Sequence, residues 1–145
     1  MLNFIKNILI ELLSVQIVKV RGRSMEPAIS EGAWVVSFRA GFRHRDPERF
    51  DVVRLEESGT ASSWIVKRIV GLPGEEVSLR AGELLINGEF VADSFAYCLD
   101  PQVGNFEWWL RDDEYVVLGD NRGASMDSRK FGVVKRGSFR GRVWV

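Results

Sequence analysis

The sequence contains little of what several common classes of function require. It has one cysteine, Cys98, and one histidine, His44, in 145 residues. A single cysteine excludes an internal disulfide and a zinc site built from several cysteines, and it is more often a small buried hydrophobe than a nucleophile. Twenty basic and twenty acidic residues give a formal net charge of zero. The composition therefore gives no support to a nucleic-acid partner, and no cofactor or metal is expected.

An uninterrupted apolar run long enough to cross a membrane is also missing. Residues 1–18 are rich in Ile and Leu, but Lys6 and Glu11 interrupt them, and a span needs about 20 apolar residues. Polar residues recur every three or four positions, which predicts an N-terminal apolar helix over residues 1–15 with one polar stripe. No small-x-small site of a cleavable leader follows. Three interpretations stay open: a helix lying in a membrane surface, a short or tilted membrane anchor, and a helix docked on the protein or on a partner.

The first third of the chain is basic although the whole is neutral. Five arginines contribute, at positions 21, 23, 39, 43 and 45. A solvated face is the simpler interpretation of such a cluster than a phosphate-binding patch. Attraction to anionic lipid headgroups stays open.

From Gln16 onward the pattern predicts a mainly β fold, a barrel or packed antiparallel sheets forming one domain over residues 16–145. Asn87-Gly88 is typical of a two-residue hairpin turn. Residues 82–113 carry irregularly spaced aromatics and are interpreted as an inserted subdomain. The predicted strands are short β-branched or aromatic runs near residues 17–20, 33–38, 51–55, 64–70, 76–79, 83–87, 115–118 and 138–145.

Three residues could take part in nucleophilic chemistry: the histidine, one lysine and one serine. His44 lies between two arginines in a charged loop, which makes it a poor base for a hydroxyl nucleophile. Lys67 shares one face of a predicted strand with Ile65 and Ile69, and a lysine can act as a base once burial favours its neutral form. The alternative is a lysine whose stem packs while its ammonium reaches solvent. Ser24 precedes Pro27 at a predicted chain corner, where an ordinary turn serine is the alternative.

A polar stretch from Gly119 to Gly132 stands between two apolar runs. It contains three Asp or Asn residues, two serines and two arginines, too polar for a core strand and too patterned for a linker. Its composition indicates a loop that positions other groups.

Together, four stretches resemble in order and spacing the sequence boxes of type I signal peptidases. The resemblance covers about Val20 to Gly132, most of the chain, and the last box is highly specific. The boxes are Ser24-Met25-Glu26-Pro27, Asp51-Val52-Val53, Lys67 to Glu75, and Gly119-Asp120-Asn121-Arg122 with Ser125, Asp127, Ser128, Arg129, Phe131 and Gly132.

The resemblance implies a Ser-Lys dyad without histidine. Ser24 would be the acylated nucleophile and Lys67 its general base. Ser125 would help orient the lysine amine. Structural ion pairs would join Asp127 to Arg129 and Asp120 to Arg68.

The sequence departs from the family pattern at three positions. The Ser24 backbone N–H would be one oxyanion donor, but the serine that often supplies a second donor is replaced by Gly22, which leaves that donor unassigned. Ala28 stands where a threonine is usual, and Phe50 where a glycine usually precedes the equivalent of Asp51.

The resemblance further implies a membrane-associated endopeptidase of the cell membrane, its catalytic domain on the outer side. It would cleave signal-peptide-bearing preproteins after a small-x-small segment, with the substrate added as a strand beside those leading to Ser24 and Lys67. Met25 and Ile65 are expected to line the pockets, and the membrane lipid surface is the second expected partner. The alternatives are a processing protease with one dedicated soluble precursor and a catalytically silent peptide-binding module.

Overall fold

The computed structural model describes residues 1, 5–6, 9, 14–43, 45–56, 63–97 and 104–145. His44, Cys98 and most of the predicted N-terminal helix lie outside the described residues. Ile5, Lys6 and Leu9 are helical, and Val15 is the first residue of a strand. Within the described residues, no helix is long and apolar enough to cross a membrane.

The described chain is mainly β, as predicted, with antiparallel pairing throughout its named strands. Two short 3-10 turns and one helix of four residues interrupt the strands. The strands are β1 (Val15–Lys19), β2 (Trp34–Phe38), β3 (Val52–Glu56), β4 (Trp64–Gly71), β5 (Glu76–Arg80), β6 (Glu83–Ile86), β7 (Glu89–Val91), β8 (Phe106–Trp109), β9 (Glu114–Leu118), β10 (Val134–Lys135) and β11 (Phe139–Trp144), and the helix is α1 (Ser128–Phe131).

The strands form two sheets. A seven-stranded sheet has the order β1-β2-β11-β3-β4-β9-β10, and a four-stranded sheet has the order β7-β6-β5-β8. The smaller sheet includes β5, so it begins upstream of the subdomain predicted at residue 82. Asn87 and Gly88 connect β6 to β7 with positive φ angles of 51° and 81°, which suits the predicted two-residue hairpin.

Strand β4 is an interior strand of the larger sheet, paired with β3 on one side and with β9 on the other. Lys67 is directly opposite Val53 of β3, and Ile69 is opposite Val117 of β9. Val53, Ile69 and Val117 belong to one fully buried cluster. Because side chains two positions apart in a strand lie on the same face, Lys67 lies on the same apolar face as Ile69, as predicted from the sequence.

Candidate active site

Ser24 and Lys67 meet although 43 positions separate them in the sequence. Lys67 Nζ lies 2.8 Å from Ser24 Oγ and 3.0 Å from the carbonyl oxygen of Val66. The lysine is only 3% exposed, whereas Ser24 is half-buried in the turn after β1. The pair thus combines a reachable hydroxyl with a buried amine at hydrogen-bond distance.

The polar stretch holds the backbone of the Ser24 turn. The Asn121 backbone N–H donates to the Ser24 carbonyl oxygen at 3.0 Å, and its side-chain Nδ2 donates to the Arg23 carbonyl oxygen at 3.2 Å. Asn121 belongs to the last of the four sequence boxes, but no role was predicted for it. The only sign of a role for Asn121 in the sequence is its polar side chain beside Asp120. Its contacts with residues 23 and 24 are too distant in sequence to be predicted from local pattern.

Gly119 allows this loop to approach the serine closely. A methyl group added at Gly119 would overlap the Ser125 hydroxyl and lie 2.5 Å from the Ser24 carbonyl oxygen. Ser125 Oγ is buried, and among the described residues it makes no hydrogen bond of normal length and angle. Ser125 is therefore brought to the back of the Ser24 turn, but no bond from it to the Lys67 amine is present.

Asp127 fixes the start of helix α1. Its carboxylate accepts from the Arg129 side chain at 2.9 and 2.8 Å, from the Arg129 backbone N–H at 3.2 Å, and from the Gly119 N–H at 3.0 Å. The polar stretch that contains Asp127 and Arg129 was predicted to be a loop. That expectation was wrong, because Asp127 is the N-cap residue of α1 and a carboxylate at this position satisfies free N–H groups of the first turn.

The same contacts hold the pKa of the Asp127 carboxyl below its usual range. Burial alone would raise that pKa, but the Arg129 guanidinium, the Gly119 N–H and the nearby Ser125 hydroxyl favour the charged form more strongly. A depressed folded-state pKa stabilises the fold above the unfolded-state value, and that stability is lost as pH falls through the folded-state value.

We expect Asp127→Asn to lower the free energy of unfolding at pH 7 by about 3 kcal/mol, because Arg129 would be left buried without its charge partner. The penalty should shrink as the pH falls below 3.8, the ordinary value for the carboxyl, since the parent then loses the same charge. Urea unfolding at the two pH values measures both effects. Exposed Asp112 provides the control, and Asp112→Asn should change stability by less than about 0.5 kcal/mol. Equal penalties for Asp127→Asn at both pH values would contradict this account.

A second buried ion pair braces β4 against the loop. Arg68 donates to both carboxylate oxygens of Asp120, at 2.8 and 2.7 Å, and to the Phe50 carbonyl oxygen at 2.9 Å. Its guanidinium also lies 3.7 Å from the centre of the Phe95 ring. Phe50 has a φ of 70°, a conformation that favours glycine, which accounts physically for the glycine usual at this position.

One further buried ion pair was not predicted. Arg122 pairs with Asp93 and donates through Nε to the Gly119 carbonyl oxygen at 3.1 Å. Asp93 comes from the connection after β7, so this pair ties that connection to the polar stretch. Nothing local in the sequence around Asp93 identifies its partner.

Two cavities lie on either side of the Ser24–Lys67 pair, and Ile65 lines both. One, of about 310 Å³, lies between the segment after β1 and the start of β4. The other, of about 170 Å³, has a mostly apolar lining that also includes Arg23, Ser24, Glu56 and Lys67. The residues of the first are Lys19, Val20, Arg21, Ser24, Ser63, Trp64, Ile65, Val66 and Lys67, and those of the second include Leu55, Ile65, Ala124, Met126, Phe131 and Val134.

Met25 does not line either cavity. It is fully buried in a cluster with Val20, Ile29 and Val66, because the turn that exposes Ser24 directs the next side chain inward. Met25 can therefore influence the first cavity only through the residues it supports. The sequence predicted that Met25 lines a substrate pocket, but its side chain is fully buried and reaches neither cavity.

The backbone around Ser24 leaves one donor available. Among the described residues the Ser24 N–H makes no hydrogen bond. Gly22 has a φ of 79°, and a Cβ added there would meet no atom within 4 Å. The side of the turn that faces Gly22 is therefore open, and the chain supplies no side-chain donor at position 22.

Comparisons with known proteins agree on one family. The sequence model described as signal peptidase, peptidase S26, matches residues 1–145. A probable signal peptidase I-2 from Synechocystis is 33% identical over 127 residues, which cover 84% of this chain and 58% of that protein. Signal peptidase I V from Bacillus subtilis is 33% identical over 132 residues, covering 81% of this chain and 76% of that protein. The chain thus spans little more than half of the first relative and about three quarters of the second.

A solved structure extends the similarity to three dimensions. The crystal structure of a signal peptidase I from Enterococcus faecalis superposes with a TM-score of 0.59 at 31% sequence identity. The match covers 68% of this chain and 97% of that one. The similarity therefore includes the fold as well as the sequence boxes.

Proposed function

The chain belongs to the signal peptidase family, peptidase S26, and on that premise we propose that it is a serine endopeptidase that removes signal peptides from exported preproteins. The observation that carries the proposal is the 2.8 Å contact between the Ser24 hydroxyl and the buried Lys67 amine. Lys67 is only 3% exposed, and burial of an amine favours its neutral form. A neutral amine at this distance can remove the hydroxyl proton as the serine attacks.

In the proposed reaction, Ser24 Oγ attacks the carbonyl carbon of the scissile bond while Lys67 takes the hydroxyl proton. The Ser24 N–H stabilises the oxyanion. Lys67 then gives its proton to the leaving amine, which leaves an acyl-enzyme on Ser24. Water then attacks the ester carbonyl carbon as Lys67 removes one of its protons. The bond from that carbon to Ser24 Oγ breaks, and Lys67 returns the proton to Ser24 Oγ. The ion pairs of Asp127 with Arg129 and of Asp120 with Arg68 keep the loop and β4 in register, and Ser125 is proposed to orient the amine when substrate closes the site.

The substrate is proposed to lie as an extended strand in the first cavity. That cavity separates residues 19–21 from residues 63–66, and both segments present backbone groups to a peptide placed between them. Side chains one and three positions before the cleaved bond lie on one face of an extended strand, and small residues there are proposed to fit against Ile65. The second cavity is left for the chain after the cleaved bond.

We place the enzyme at a membrane surface, with lipid as its second partner. Ile17, Val36 and Trp144 are directly opposite one another across β1, β2 and β11, so their side chains share a face. Ile17 is 68% exposed, Trp34 on the same face 68%, and Trp144 70%. Exposed apolar faces mark interaction sites, and tryptophan favours the membrane interface. This face begins at Val15, immediately after the apolar N-terminal segment.

A cleavage assay on purified protein tests the proposal. A preprotein with a small-x-small segment should be cut after that segment, and large residues at either small position should prevent cutting. A folded soluble precursor without such a segment serves as the second substrate. Cleavage of that precursor alone would favour the dedicated processing protease, and tight binding of the preprotein without cleavage would favour the silent binding module.

The close approach at Gly119 gives a further prediction. Gly119→Ala should lower kcat/KM for the preprotein by about 100-fold, because the added methyl group must move the Ser24 backbone by a distance that matters for catalysis. Gly137→Ala is the matched control, since a Cβ there meets no atom within 4 Å. Unaltered kcat/KM in Gly119→Ala would show that the loop does not set the position of Ser24.

A further inference from the structure

Two basic side chains lie at the edge of the first cavity. Lys19 is the last residue of β1, Arg21 follows two positions later, and both line the cavity together with Ser24. Lys19 and Arg21 are exposed, whereas Val20 between them is buried. Because side chains alternate along an extended segment, Lys19 and Arg21 lie on its outer side and Val20 on its inner side.

The backbone of this segment has one edge available to a substrate. The Val20 N–H donates to the Ala33 carbonyl oxygen at 2.8 Å, and the Val20 carbonyl oxygen accepts from the Gly32 N–H at 3.0 Å. In a trans peptide unit the C=O and the N–H point in opposite directions. The Lys19 C=O and the Arg21 N–H therefore point away from β2, toward the edge at which a substrate strand can pair.

The charge of Lys19 and Arg21 is not neutralised by the described part of the protein. Neither side chain forms an ion pair there, whereas the next arginine, Arg23, is paired with Glu26. Lys19 Nζ lies 5.8 Å from the centre of the Trp34 ring, on the outer side of the sheet. The described residues that line the first cavity include no Asp or Glu. The edge of the groove is thus positive in a chain of zero net charge.

A substrate strand beside this segment alternates in the same way. With small residues one and three positions before the cleaved bond against Ile65, the residues two and four positions before it lie on the other face of the substrate. That face is the outer one, which carries Lys19 and Arg21. Side chains on the same face of paired strands interact, and opposite charges are favourable there while like charges are unfavourable.

We infer that Lys19 and Arg21 select substrates by charge, favouring acidic and disfavouring basic side chains two and four positions before the cleaved bond. The inference rests on the proposed function, because it concerns the same groove and the same substrate strand. One exposed ion pair gives about a two- to five-fold preference. The contrast between a substrate with two acidic and one with two basic side chains should therefore be about 10-fold.

Cleavage of three matched peptides tests this selection. All have alanine one and three positions before the cleaved bond, and they carry Glu, Gln or Lys at both positions two and four before it. At low salt the parent's kcat/KM should decrease in the order Glu, Gln, Lys, with about a 10-fold ratio between the first and the last. In the double variant Lys19→Gln with Arg21→Gln this ratio should fall below about two.

Arg39→Gln with Arg43→Gln is the matched control for that double variant. It removes the same charge from exposed positions that line a different cavity. Its ratio of kcat/KM between the Glu and Lys peptides should stay at about 10-fold. Only the ratio within each variant is compared, so a general loss of peptide binding in either variant cancels.

Peptide binding to Ser24→Ala separates the charge selection from the proposed reaction. Fluorescently labelled forms of the three peptides should bind this variant in the same order by anisotropy, and the preference for Glu should shrink at about 1 M salt because the charges are screened. If the peptides bind in this order but the parent cuts none of them, the proposed function fails and the selection stands.

Other results would overturn the selection. Equal kcat/KM and equal Kd for all three peptides would do so while leaving the endopeptidase in place. A preference for Glu that Lys19→Gln with Arg21→Gln leaves unchanged would show that other residues cause it. Absence of both binding and cleavage would overturn the selection and the proposed function together.

Discussion

Ser24→Ala is expected to abolish cleavage of a small-x-small preprotein, with kcat/KM reduced on the order of a million-fold. The reason is that the variant lacks Ser24 Oγ, which lies 2.8 Å from the Lys67 amine. This oxygen is the atom that becomes acylated in the proposed reaction. Removing one oxygen from a half-buried turn should leave the fold intact. The assay should be run beside thermal unfolding of the same preparation.

Ser30→Ala is the matched control, because Ser30 is an exposed serine in the same connection between β1 and β2. It should retain the parent activity. Full activity in Ser24→Ala would remove the proposed nucleophile, whereas loss of activity in both variants would point to disruption of the turn itself.

Lys67→Met is expected to be as inactive as Ser24→Ala, because the hydroxyl then has no base within hydrogen-bond reach. Methionine retains most of the apolar stem, so it suits a position opposite Val53 in the core. Lys135→Met provides the control, since Lys135 is an exposed strand lysine. Its activity should match that of the parent.

The rate should also report the ionisation of Lys67. A free lysine has a pKa of about 10.4, and burial disfavours the ammonium form. The parent's kcat/KM should therefore rise with pH through an ionisation well below about 10, since only the neutral amine accepts the proton. A profile that is flat between acid and alkaline pH would contradict a lysine base.

Local pattern predicted most strands of the fold but not how they are arranged. Runs such as residues 64–70 and 115–118 have β-branched residues bounded by turn signals, and each became a strand. The strands β7, β8 and β10 were missed, because β10 has two residues and the aromatics of β8 gave no clear alternation. The insertion of β11 between β2 and β3 depends on pairing with residues that precede it by more than 80 positions in β3 and more than 100 in β2, which no local pattern contains.

The sequence was sufficient to predict which residues form the candidate site, but not which contacts they make. Local pattern alone left Ser24 and Lys67 with ordinary alternatives, and the family resemblance brought them together. The helix cap at Asp127 was missed because four helical residues are too few to produce a periodic signal.

The polar stretch from Gly119 to Gly132 has a clearer role after the structure. Its members hold the Ser24 turn through Asn121, cap α1 through Asp127 and brace β4 through Asp120. None of these three residues is a donor or acceptor in the hydrogen bond between Ser24 and Lys67. The stretch is thus a positioning element whose function depends on distant partners.

The central claim is most directly tested by identifying the residue that becomes acylated. A small-x-small peptide ending in an activated ester should acylate the enzyme faster than water removes the acyl group, so that a covalent adduct accumulates. Mass spectrometry of the digested protein should locate this adduct on Ser24, and the Lys67→Met variant should acquire it far more slowly. An adduct on Ser125 or on another residue, or equal acylation of Ser24 without Lys67, would contradict the Ser24–Lys67 mechanism.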